Sequence, residues 1–188
     1  EPHYTPFRHF LRGLGVHTSF YSRGYNPRQQ ITRPVERFRE EIEEVVDAKG
    51  PFDYVIGHST GAVEALIMLA QYQDIKRVFA IRPGFDLGIS RSMMRLFKFI
   101  DVVPHALVGD DRKSILEDAE PHQRRLTTIS VRGDWLTLPG GAGFLLPQAR
   151  NHIVNVPEEQ EEWTPHGDIN LQDIQTIVKQ EMRLKLPS

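Results

Sequence analysis

The 188-residue chain contains no cysteine. That excludes a disulfide scaffold, thiolate metal sites and a cysteine nucleophile together. It also lacks charge of one sign: 23 Lys and Arg stand against 25 Asp and Glu, a net of -2. A surface built to hold a phosphate backbone carries a clear basic excess, so no nucleic-acid partner is expected. Long apolar runs are missing too, and none nears the 18 residues a membrane span needs. No secretory signal is visible, which leaves the compartment open between cytoplasm and outside the cell. Internal repeats and low-complexity tracts are equally absent.

What is present is a regular exchange between two hydrophobic periods. Phe7, Phe10, Leu11 and Leu14 fall on one helical face over 5–13. The run Val16-His17-Thr18-Ser19-Phe20-Tyr21 is rich in β-branched and aromatic residues and predicts a strand. After a polar loop with Gly24, Asn26 and Pro27, Val35, Phe38, Ile42, Val45 and Val46 predict a helix over 34–49. Thr32 is placed to cap it, and Gly50-Pro51 stops it. Strands are expected at 52–56, 78–81, 126–132 and 151–156, with helices at 62–72, near 112–119, and at 171–184. The segment at about 85–125 breaks the alternation. Its amphipathic stretch from Ile89 to Ile100, with Arg91, Arg95 and Lys98 interleaved, suits either a lid over an apolar pocket or a surface helix.

Strands separated by single helices cannot pair as hairpins, so the sheet should be mostly parallel and open, with right-handed crossovers. The expected fold is a single three-layer α/β/α domain over 1–188, whose site lies at the carboxyl ends of the strands.

Directly after the predicted strand at 52–56 comes Gly57-His58-Ser59-Thr60-Gly61, and then a helix. This G-x-S-x-G in strand–turn–helix context is the pattern of a nucleophile elbow. A serine at so sharp a turn sits on strained backbone, and side chains two residues away on either side should collide with neighbouring elements. Gly57 and Gly61 are therefore expected to be glycine for steric reasons. The turn also aims the Thr60 N–H at a developing oxyanion.

A serine needs a histidine to take its proton and a carboxylate to orient that histidine. Of the seven remaining histidines, His17 and His152 lie near the starts of strands. His3 and His9 lie at the beginning of the chain, and His105 and His122 in the 85–125 segment. His166 follows the final strand and precedes the final helix, over the carboxyl edge. Asp134 stands just past a strand end in Gly133-Asp134-Trp135 and is the favoured acid. Asp86, after the strand at 78–81, is the alternative. Asp110-Asp111 and Arg124-Arg125 read as solvated pairs, and Asp168 as a first-turn residue of the last helix. Pro139-Gly140-Gly141-Ala142-Gly143 lacks the Lys-Ser/Thr of a phosphate loop and reads as a plain loop. His166 and Asp168 have no third ligand at metal spacing, so neither metal nor cofactor is expected.

The order Ser59, Asp134, His166 on alternating strands and helices resembles the α/β-hydrolase superfamily. The elbow, and the segment Ala149–Val156 followed by the His166 loop, resemble bacterial lipases and esterases. The resemblance implies ester hydrolysis through an acyl-enzyme on a small-molecule acyl substrate. A thioesterase or acyltransferase with the same triad is the alternative, and a non-catalytic hydrolase-fold binding protein another. In this family a His-Gly-type loop after an early strand supplies the second oxyanion donor. Here Glu1-Pro2-His3-Tyr4 stands just past where that loop would fall. The early strand is thus expected to be lacking, or supplied by a companion N-terminal segment or chain. Ala62 replaces a glycine that often follows the elbow.

Overall fold

The computed structural model describes residues 4–21, 35–83, 109–132, 146–155 and 172–182. Four strands form one sheet: β1 (Tyr54–His58), β2 (Arg77–Ile81), β3 (Leu126–Val131) and β4 (Arg150–Val154). They lie side by side in chain order, and every neighbouring pair is parallel. Among the described residues five helices accompany them: α1 (Thr5–Gly13), α2 (Val35–Lys49), α3 (Thr60–Gln71), α4 (Gly109–Ala119) and α5 (Gln172–Glu181). A 3₁₀ stretch, Glu120–Arg125, leads into β3. α2 ends at Lys49, where a cis Gly50-Pro51 bond follows.

Alternation along the strands sends side chains to two separate cores. Val78 and Ala80 of β2 join Val35, Phe38 and Ile42 of α2, Val63, Leu66 and Leu69 of α3, and Ile115 of α4. Phe79 and Ile81 face the other way, with Ile129, Val131 and Val154, onto Phe7 and Leu11 of α1 and Ile174 and Val178 of α5. The expected three-layer α/β/α architecture is therefore present. β2 and β3 are buried on both faces, the mark of central parallel strands. α3 has Ala62, Val63, Ala65, Leu66, Ile67 and Leu69 all at 2% exposure or less, so it is the central helix of its layer.

The run at 16–21, expected as a strand, has no regular secondary structure and joins no ladder among the described residues. Its contacts run to helices instead. Arg12 Nε donates to Thr18 Oγ1 at 3.4 Å, Lys49 Nζ donates to the Phe20 carbonyl at 3.5 Å, and the Phe20 ring packs on Tyr4. β-propensity is a preference for a pleated, half-buried surface and yields to whatever neighbour the fold supplies. Four other strands fall within two residues of expectation. His152, expected at a strand start, is the middle residue of β4. The expected helix around 89–100, the Thr32 cap and the 139–143 loop lie outside the described residues. α4, from the second half of the 85–125 segment, packs against α3, with Ile115 and Ala119 buried.

Two polar devices lock the layers. At the amino ends of the strands, Glu181 of α5 receives Arg77 at 3.4 Å, lies 3.5 Å from His152, and also pairs with Arg150. Arg77 donates as well to Thr127 at 3.2 Å. The second device corrects the expectation that Arg124-Arg125 is a solvated pair. Arg124 is exposed, but the Arg125 guanidinium donates to the carbonyls of Leu69, Tyr72, Gln73 and Ile75 at 2.8–3.1 Å. These carbonyls lie in the last turn of α3 and in the segment just after it, and Arg125 reaches them from some fifty residues away. Its partial burial lowers the guanidinium pKa.

Arg125→Ala should therefore cost about 1–3 kcal/mol in urea unfolding with an unchanged m-value, because several partly buried carbonyls lose a charged donor at once. Arg125→Lys should recover less than half of that, since an ammonium cannot span four acceptors with a rigid fork.

Candidate functional site

The sheet's carboxyl edge is set by register: His58 of β1 pairs with Ile81 of β2, Ile81 with Ile129 of β3, and Val131 with Val154 of β4. Ser59 stands on this edge, after the last residue of β1 and before the first of α3. It holds φ 55° and ψ −119°, outside the regions a side-chain-bearing residue ordinarily occupies. Such backbone persists only where its surroundings over-determine it. Here the Ser59 N–H donates to the Ile81 carbonyl at 3.0 Å, and the Ala62 N–H donates to the Ser59 carbonyl at 3.0 Å. Ser59 is half-buried. Thr60 opens α3, so its N–H belongs to the unpaired first turn of that helix.

The two glycines of the motif have unequal roles. A β-carbon at Gly57 would lie 2.1 Å from the Gly61 carbonyl oxygen and 2.8 Å from Cα of Ala62, distances real atoms do not tolerate. A β-carbon at Gly61 would meet nothing within 4 Å. The expected steric need for glycine at both positions thus holds for Gly57 alone. Gly61 contributes the backbone that crowds Gly57, not space for itself.

His58 presents its ring to the start of α1. The Tyr4 phenol oxygen lies 2.9 Å from His58 Nδ1, and the two rings meet edge-on with centroids 5.8 Å apart. Burial raises the Tyr4 pKa, so the phenol keeps its proton across the neutral range. On the far side of Ser59, Arg82 follows β2 directly. It is fully buried, holds φ 46°, and its N–H donates to the Ile129 carbonyl at 2.7 Å. Sequence reasoning passed over both Tyr4 and Arg82. The only trace of Arg82 is a charge wedged between a buried strand and Pro83-Gly84. Tyr4 left none.

Asp134, Asp86, His166 and Asp168 lie outside the described residues, as do the side chains of Thr60, Asp110 and Asp111. Asp134 comes after β3, and His166 between β4 and α5, so both segments leave parallel strands on the carboxyl side where Ser59 stands. Among the described residues no group of three His, Asp or Glu side chains could hold a metal ion. No described helix is long and apolar enough to cross a membrane.

An open parallel sheet with helices on both faces and a strained serine at a strand–helix junction define an open α/β fold. No protein-family model matches the chain, and no curated protein matches it either. Solved structures do. A monoacylglycerol lipase of Paleococcus ferrophilus superposes with TM-score 0.60 at 14% identity, over 98% of this chain and 90% of that one. The esterase domain of a Rhodothermus marinus protein gives 0.56 at 16%, over 93% and 76%. A mutant of the meta-cleavage product hydrolase CumD gives 0.56 at 13%, over 96% and 85%. The chain has the α/β-hydrolase fold.

Gly57→Ala should abolish the native turn, read as lost soluble expression or a thermal midpoint lower by 10 °C or more, on the order of 3–5 kcal/mol at this chain length. Gly61→Ala should leave that midpoint unchanged or slightly raised, because alanine favours the first turn of a helix by up to about 1 kcal/mol.

Proposed function

We propose that the chain is a serine hydrolase of carboxylic esters. The observation that carries this reading is the backbone of Ser59: a positive φ at the carboxyl edge, against a glycine that admits no β-carbon, directly before a helix N-terminus. A structure has no reason to hold a serine there for packing, and strain of this kind marks sites where geometry serves chemistry. The esterases and lipases among proteins of like fold support the same reading.

In this mechanism His166 removes the Ser59 proton as Oγ attacks the ester carbonyl, and Asp134 holds the imidazole in the tautomer that can accept it. Asp86 is the alternative acid. The carbonyl oxygen, now an anion, is met by the Thr60 N–H at the start of α3. Collapse of the tetrahedral intermediate expels the alcohol, which takes its proton from His166 and leaves the acyl group on Ser59. Water, activated by the same histidine, then releases the acid. Both steps balance without a redox partner or metal.

Labelling with a fluorophosphonate probe tests the reading, with hydrolysis of p-nitrophenyl butyrate as the second measure. Ser59→Ala should abolish labelling, and His166→Ala should slow hydrolysis by about 10³-fold or more. Asp134→Ala should do likewise while Asp86→Ala stays near wild type; the reverse pattern would move the acid to Asp86. Labelling of Ser59→Ala at the wild-type rate would end the proposal. A parallel panel of acyl thioesters separates ester from thioester preference.

A further inference from the structure

We propose that Tyr4 is a positioning residue for Ser59, acting through a hydrogen bond from its phenol to Nδ1 of His58. The proposal deepens the hydrolase reading and rests on Ser59 being the nucleophile. The contact joins residues 54 positions apart, from the foot of α1 to the last residue of β1. Tyr4 is itself braced: its ring lies 5.5 Å from that of Phe20, over which the Arg8 guanidinium sits at 5.3 Å. Tyr4 also packs against the core that holds Phe7 and Leu11. The stack is an aromatic and cationic wedge set against the residue that precedes the nucleophile.

The 2.9 Å contact admits two directions, phenol to bare Nδ1 or Nδ1–H to phenol oxygen. In the first, which the proposal takes, Tyr4 holds His58 in one tautomer with Nδ1 bare and the proton on Nε2. A ring fixed in position and tautomer fixes the peptide between His58 and Ser59. That peptide leads into the φ 55° turn, already tied by the Ser59–Ile81 and Ala62–Ser59 bonds. Tyr4 supplies a third restraint, from the opposite helical layer. Without the hydroxyl the imidazole loses this restraint on its tautomer, and the registration of Ser59 Oγ with the Thr60 N–H loosens. That registration matters to the oxyanion more than to the bound ester, so the loss should fall on kcat rather than on KM.

Tyr4→Phe tests this, because it removes one oxygen and keeps the ring against Phe20. Long-range 1H–15N spectra of protein labelled at histidine should show His58 protonated at Nε2 in wild type and as a tautomer mixture in the variant. For p-nitrophenyl butyrate, kcat should fall about three- to ten-fold, the factor for one neutral hydrogen bond, with KM within about two-fold. A merely packing role would lower the thermal midpoint and leave both the tautomer and kcat as they were. An Nδ1-protonated His58 in wild type would overturn the proposal without any variant. So would an unaltered kcat in Tyr4→Phe while Ser59→Ala remains unlabelled by fluorophosphonate. Wild-type labelling of Ser59→Ala would instead remove the nucleophile reading on which the proposal rests.

Discussion

The junction of β1 and α3 depends on one backbone contact with no slack. Gly57 approaches the Gly61 carbonyl so closely that even a methyl group has no place between them. That approach lets the chain reverse from strand to helix within a single residue, and the residue at the reversal is forced to positive φ. Ser59 is thus lifted off the sheet by geometry set two residues earlier. The rest of the molecule secures this arrangement. The apolar length of α3 fixes the helix against β1 and β2, Arg125 closes its far end, and the Ile81 carbonyl ties its near end.

The fold was largely legible in the sequence because its signals are local. Helical spacing identified α1, α2, α3 and α5 to within a few residues, and short apolar runs identified β1 to β4. Their strict alternation implied parallel pairing, which the registers bear out. The failure at 16–21 has a plain cause: the residues favour a strand, but a strand requires a partner, and no sequence pattern reveals whether one stands alongside. Arg125 failed for a related reason. Beside Arg124 it looks like any surface pair, and the four carbonyls that claim it belong to residues 69–75.

The site was legible only where its logic is also local. Five consecutive residues announce the turn, but the steric case for Gly61 went wrong because periodicity does not say which of two glycines carries the collision. The link between Tyr4 and His58 joins a helical layer to the sheet across 54 positions and could not be read from either residue's neighbours in sequence. The assignments of Asp134 and His166 rest on chain order alone: each follows a strand whose carboxyl end lies on the edge where Ser59 stands.

The four described strands, all paired in parallel, have a consequence for how the polypeptide reaches this state. No two adjacent strands can zip together from a hairpin; each pairing waits until the intervening segment has been drawn across one face. The entropy of those closures is lost before most ladder bonds form, which puts such chains among the slower folders of their size. Meanwhile β2 and β3, apolar toward both layers, stand uncovered in the nascent chain. Those two segments are where a holding chaperone would find its grip, and where crowding of half-made molecules would first lead to aggregation.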